Sequence, residues 1–148
     1  MKTRLNRIAV AVLAGVACWQ VNAAELNWQT DLPKAQAQAK AEKKLVMLDF
    51  TGSDWCGWCI KLNKEVFSQP EFVEYAKKNI VPVEVDFPRK KQLSPAQKSA
   101  NKALADKYNI QGYPTIIVLN SAGQKVGELG YMKGGPKAFI AELEKLKK

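Results

Sequence analysis

The sequence predicts an α/β domain built on a mostly parallel β-sheet with helices over both faces. Three observations carry that expectation. Short apolar runs at 45–50, 80–87 and 114–120 alternate with longer helix-patterned stretches, the pattern of strand–helix–strand units. Two of the helical stretches open on capping signals, Ser68-Pro70-Glu71 and Ser94-Pro95-Gln97, which combine an N-cap, a proline in the first turn and a capping-box acid or amide. The chain has 148 residues, 47% hydrophobic and 25% charged, enough for one domain with a core of its own.

Taken in order, residues 32–44, "LPKAQAQAKAEKK", are Ala-rich and suit a helix. "LVMLDF", 45–50, is a buried strand bounded by charge and then Thr-Gly-Ser. A helix starts near Cys56 and runs through "GWCIKLNKEVF". Ser68 and Pro70 break it and begin a second piece that reaches about Lys78. "IVPVEVDF", 80–87, is a strand, with Pro82 near its start. Ser94 caps the next helix, whose apolar stripe is Ala100, Leu104 and Tyr108. "PTIIVLN", 114–120, is a strand, "SAGQ" a turn and "KVGELGY" its hairpin partner, an antiparallel edge. "PKAFIAELEKLKK" closes the chain as a helix with Phe139, Ile140, Leu143 and Leu146 on its apolar face.

The first 23 residues read as an export signal. Lys2, Arg4 and Arg7 precede an apolar run of eleven residues, Ile8 to Cys18, short of the roughly 20 that span a bilayer. Val21-Asn22-Ala23 offers small side chains for cleavage after Ala23. The alternatives are a lipid-modified Cys18 and an uncleaved membrane anchor. The expected organisation is a signal peptide, 1–23, and one domain, 24–148, in the periplasm. Cleavage lowers the net charge from +9 to +6 and leaves two cysteines, Cys56 and Cys59. The remaining lysines are scattered over helix surfaces, which argues against a nucleic-acid partner.

Those two cysteines sit in "DFTGSDWCGWCIKL", residues 49–62. A structural zinc site needs four ligands; the chain has no histidine and no second cysteine pair. Haem attachment needs a histidine at position 60, which is Ile. No metal or cofactor is therefore expected. A purely structural disulfide across so short a loop would constrain the unfolded chain little. A redox pair has a mechanism. Cys56 at a helix start lies over free backbone N–H groups that favour a thiolate. Cys59, one turn on, can resolve a mixed disulfide. Trp55, Gly57 and Trp58 would form the rim against which a substrate chain lies.

"LDF…WCGWC" followed about 55 residues later by "GYPT" resembles the thioredoxin superfamily, and the resemblance spans nearly all of the chain after residue 23. Within it, "GSDWCGWC" looks like the small exported thioredoxin-like proteins and the soluble redox domains of periplasmic electron-transfer systems. The resemblance implies a thioredoxin-like fold, a central mixed sheet of about four strands flanked by helices, with an extra N-terminal helix. It implies a cis Pro114 beside the cysteines, and a Tyr113 backbone that pairs with substrate. It also implies that Asp49 is the buried acid that exchanges a proton with Cys59. Two departures stand out. Six residues separate Asp49 from Cys56, one more than in thioredoxin, so the loop has to bulge. The strand that would supply a lysine to the acid offers Pro82 and Glu84 instead.

The expected function is thiol–disulfide oxidoreduction by Cys56 and Cys59, in the direction of reducing other exported proteins. The alternatives are a disulfide oxidase or isomerase, or a non-catalytic chain-binding module of the same fold. Expected partners are disulfide-containing exported proteins and a membrane electron donor, with the chain a monomer.

Overall fold

The computed structural model describes residues 25–147. The expected export signal at 1–23, with Cys18, lies outside them. The elements are α1 (Leu32–Glu42), β1 (Leu45–Thr51), α2 (Gly57–Leu62), a π-helical segment (Asn63–Phe67), α3 (Pro70–Asn79), β2 (Ile80–Asp86), α4 (Pro95–Lys107), β3 (Thr115–Leu119), β4 (Lys125–Leu129) and α5 (Gly135–Lys145). All nine regular elements expected are present, including the N-terminal helix.

The sheet order is β2-β1-β3-β4. β1 and β2 are parallel, with Leu45 opposite Ile80 and Thr51 opposite Asp86. β3 is antiparallel to both β1 and β4, so the sheet is mixed and the expected mostly parallel arrangement is corrected. Register gives the reason. The chain leaves β2 beside Thr51 and enters β3 with Thr115 opposite Phe50. Both points lie at the same end of the sheet, so α4 does not carry the chain back to the other end and β3 has to run the opposite way.

Every residue of β1 is buried, as expected for a central strand covered on both faces. Its side chains alternate between two cores. Leu45 and Met47 pack with Val66, Phe67, Phe72, Phe139 and Leu143 under α2, α3 and α5. Val46, Leu48 and Phe50 pack with Leu32, Ala35, Ala39, Val81 and Val83 under α1. With a period of two, Asp49 falls on the α2 side. Gln29 extends the sheet at its β2 edge: its N–H donates to Pro82 O at 3.0 Å, and its carbonyl accepts from Glu84 N–H at 2.8 Å.

Three local expectations are corrected. Helix α1 ends at Glu42, closed by Lys43 at φ 54°, two residues early. Ser68 does not cap α3. Its N–H donates to Asn63 O at 2.8 Å and closes the π segment, and Gln69 is the N-cap without a side-chain capping bond, its Nε2–H donating to Lys64 O at 2.7 Å instead. The buried position of α4 is Asn101, and Ala100 faces solvent. Asn101 Nδ2 donates to Asp86 O at 2.8 Å, so a hydrogen bond to the end of β2 sets the rotation of this helix. Ser94 does cap α4, accepting from Gln97 N–H at 3.1 Å. The hairpin turns at Gly123, φ 82°, where Asn120 Oδ1 accepts from the N–H groups of Ala122 and Gln124.

Candidate active site

Cys56 and Cys59 form a disulfide with Cα atoms 5.2 Å apart. Cys56 is the N-cap of α2, and its Sγ accepts the Cys59 N–H at 3.3 Å. The sulfur sits where the first helical donors are free. Exposure does not separate the two, at 7% for Cys56 and 5% for Cys59; surroundings do. Cys56 belongs to the loop that carries Trp55. Cys59 lines a cavity beneath α2 together with Asp49.

The extra residue between Asp49 and Cys56 is taken up by a tight, tethered loop. Trp55 N–H and Cys56 N–H both donate to Gly52 O, at 3.2 and 2.8 Å. A Cβ on Gly52 would come within 2.5 Å of the Trp55 indole, so only glycine fits there. Ser53 donates through N–H and Oγ to the two oxygens of Asp86 at 2.9 and 2.6 Å. Asp54 accepts the N–H groups of Arg89, Lys90 and Lys91 at 2.9, 2.7 and 2.9 Å. Those bonds, the one from Arg89 foremost, hold its carboxyl below the usual range. Sequence reasoning missed Gly52, Asp54 and Asp86. The "GSD" tripeptide was the signal, but the acceptor of Ser53 and the donors to Asp54 lie 33 to 37 residues away.

Trp55 is half-buried and held. Its Nε1–H donates to Phe87 O at 2.8 Å, its ring meets Tyr113 edge-on at 6.0 Å, and the Arg89 guanidinium lies 3.9 Å above it. Tyr113 stacks on Phe87 at 5.3 Å, and the Tyr113–Pro114 bond is cis, as the resemblance implied. Trp58 is 57% exposed and rests on Tyr131 at 4.9 Å, with Lys61 over both rings. Gly57 is exposed, and a Cβ there would meet nothing within 4 Å.

Asp49 is buried at 8% exposure, and its Oδ1 has no hydrogen-bond partner. Its Cα partner on β2 is Glu84. Burial, then the charges of Glu84 and Asp86, push the Asp49 carboxyl up to about 8. Glu84 is itself raised by burial and Asp86, with Lys91 pulling the other way. In this oxidised form Asp49 therefore holds a proton at neutral pH.

The family model described as a thioredoxin-like domain matches residues 32–147. The chain belongs to the thioredoxin-like family. Among its thioredoxin-like relatives, disulfide bond reductase DsbH of Chlamydia pneumoniae is 32% identical over 124 residues, covering 84% of this chain and 74% of that protein. A thiol:disulfide interchange protein, DsbD of Cronobacter sakazakii, is 38% identical over 96 residues, covering 65% of this chain but only 15% of its own length. A solved DsbH oxidoreductase superposes with a TM-score of 0.79 at 28% identity, covering 99% of this chain and 94% of the other. This thioredoxin-like chain is a thiol–disulfide oxidoreductase, and Cys56–Cys59 is its disulfide.

Proposed function

We propose that the chain is exported, released by cleavage after Ala23, and reduces disulfides of other exported proteins, with a membrane electron donor restoring its dithiol. The observation that carries this reading is the Cys56–Cys59 pair at the start of α2 with a protonated, unpartnered Asp49 behind it. The periplasm supplies the oxidised partners, and cleavage would leave no third cysteine to compete.

In the forward step the Cys56 thiolate attacks a substrate disulfide. One substrate sulfur leaves as a thiolate, and the other is joined to Cys56. Cys59 gives its proton to the Asp49 carboxylate and attacks Cys56 Sγ. The enzyme disulfide forms, the second substrate sulfur leaves as a thiolate, and two electrons have passed to the substrate. In recharging, a donor thiolate attacks Cys56 Sγ. Cys59 leaves as a thiolate and takes the proton held on Asp49. A second donor thiolate then frees Cys56.

Trp55, Gly57, Trp58, Tyr113 and Pro114 are assigned to substrate binding. Among the described residues, Trp58 and Ile60 are the exposed large apolar side chains, and Gly57 lies beside Trp58 on the exposed start of α2. Direction follows from what stabilises the thiolate. A strong oxidant holds its reduced form with extra donors or cations. Here the intervening dipeptide is Gly57-Trp58, and acids lie behind the pair. That the DsbH relative is called a disulfide bond reductase agrees with this direction. An insulin-type reduction assay tests it: the wild-type chain should catalyse reduction by a dithiol, and Cys56→Ser should not.

A further inference from the structure

Trp55, the residue before Cys56, carries a cation on its ring. The Arg89 guanidinium lies 3.9 Å from the ring centroid, and Arg89 is exposed. Two sets of contacts hold it there. The backbone N–H groups of Arg89, Lys90 and Lys91 donate to the carboxylate of Asp54, the residue before Trp55. The indole beneath is fixed by Phe87 O and by Tyr113. The loop after β2 thus keeps a positive charge against the ring next to the attacking sulfur.

The guanidinium lacks an acid. Both Asp54 oxygens accept backbone N–H groups. Lys91, in the same loop, turns its charge toward Glu84 and Asp86. Arg89 has no ion pair among the described residues. Stacking uses a face of the guanidinium, whereas its N–H groups point outward in the plane, so they stay open to an acceptor. By itself a stacked surface arginine is a packing contact. Its missing acid and the place of its ring beside Cys56 point further. Trp55 meets Tyr113, which precedes the cis Pro114 and is assigned to pair with substrate. A chain joined to Cys56 and paired along Tyr113 therefore lies against the ring that carries Arg89. On the other flank Trp58 carries Lys61 at 5.1 Å, but that charge has Glu65 3.9 Å away.

We propose that Arg89 is a specificity-determining residue: it selects disulfides whose cysteine is flanked by aspartate or glutamate, binding that carboxylate at the open edge of the guanidinium stacked on Trp55. This selectivity rests on the assignment of Trp55 and Tyr113 to substrate binding. The planar fork matches a carboxylate with two parallel N–H bonds, which a lysine at the same place would not offer.

The test is single-turnover reduction of synthetic peptide disulfides by the reduced chain. Three peptides of otherwise identical sequence carry Glu, Gln or Lys on both sides of the cysteine, each as its symmetrical disulfide. Acid quenching and chromatography give the rates. Dividing by the rate of the same peptide with dithiothreitol removes its intrinsic reactivity. The wild type should prefer Glu over Gln by about fivefold, the scale of an exposed charge pair, and should reduce the Lys peptide slowest. The preference should shrink in about 0.5 M sodium chloride. Arg89→Gln should bring the Glu-to-Gln ratio close to one, Arg89→Lys should retain part of it, and Lys61→Gln should keep it. If Arg89→Gln slows all three peptides by one factor and keeps the ratio, Arg89 only steadies Trp55 and the selectivity is wrong. A wild-type ratio near one, or a ratio lost in Lys61→Gln and kept in Arg89→Gln, contradicts it equally, while the reductase reading stands. If the wild type reduces none of the peptides, that reading fails and takes the selectivity with it.

Discussion

Asp49 and Glu84 are Cα partners across the parallel β1–β2 pair, so two acids share the space behind the resolving cysteine. Burial and this neighbour put the Asp49 carboxyl at about 8 against an ordinary 3.8. The folded protein thus binds this proton more tightly than the unfolded chain. That contribution to stability is complete below the unfolded value and is lost as pH rises through the folded one, between about pH 4 and pH 8, at about 1.4 kcal/mol per unit. Asp49→Asn removes the ionisable group. The oxidised variant should lose this fall in stability and be the more stable protein at pH 9. Urea unfolding at pH 5, 7 and 9 checks it; parallel pH dependences for variant and wild type would contradict it.

The same variant should lower the turnover rate at neutral pH more than it changes KM, since a proton-transfer group acts in the chemical step. Steady-state reduction kinetics from pH 6 to 9 would show it, and an unchanged pH–rate profile would remove Asp49 from the mechanism.

Cys56→Ser should abolish exchange, while Cys59→Ser should accumulate mixed disulfides through Cys56, because only the resolving thiolate is lost. Non-reducing electrophoresis after incubation with oxidised peptide reads both. Mixed disulfides carried on Cys59 in the Cys56→Ser protein, at the level seen for Cys59→Ser, would reverse the roles. The test matters because exposure barely distinguishes the two sulfurs.

Asp54→Ala should loosen the loop that carries Arg89, whose guanidinium covers Trp55, because three backbone N–H groups lose one shared acceptor. Hydrogen exchange at the Arg89, Lys90 and Lys91 amides should speed up while β1 amides stay protected. Unchanged exchange at those three amides would contradict the tether. Asn101→Ala, by contrast, leaves a buried Asp86 carbonyl without its donor and should cost about 1–3 kcal/mol with the cysteine chemistry retained. A loss under 0.5 kcal/mol in urea unfolding would show that α4 does not depend on this bond.

The legible parts of the molecule were those with local signals. "LVMLDF" between charges could only be a buried strand, Ser94-Pro95 opens α4, and the two cysteines one turn apart met at a helix start. The lack of a lysine opposite Asp49 could be read from "VPVEVDF", and Glu84 was in view. The rest depends on contacts far apart in sequence. Ser68 resembled a cap, but the π segment before it uses its N–H. Ala100 fitted an apolar stripe, but Asn101 found the Asp86 carbonyl fifteen residues back. The direction of β3 follows from which end of the sheet α4 returns to, which periodicity does not encode.

A reducing Cys56–Cys59 couple has a low equilibrium reduction potential. The folded chain is equilibrated with a series of dithiothreitol or glutathione buffers, and the dithiol fraction is read by alkylation. The value should lie nearer the roughly −270 mV of thioredoxin than the roughly −120 mV of a strong oxidant. A value near the latter would make the chain a disulfide donor and contradict the proposed direction of electron flow.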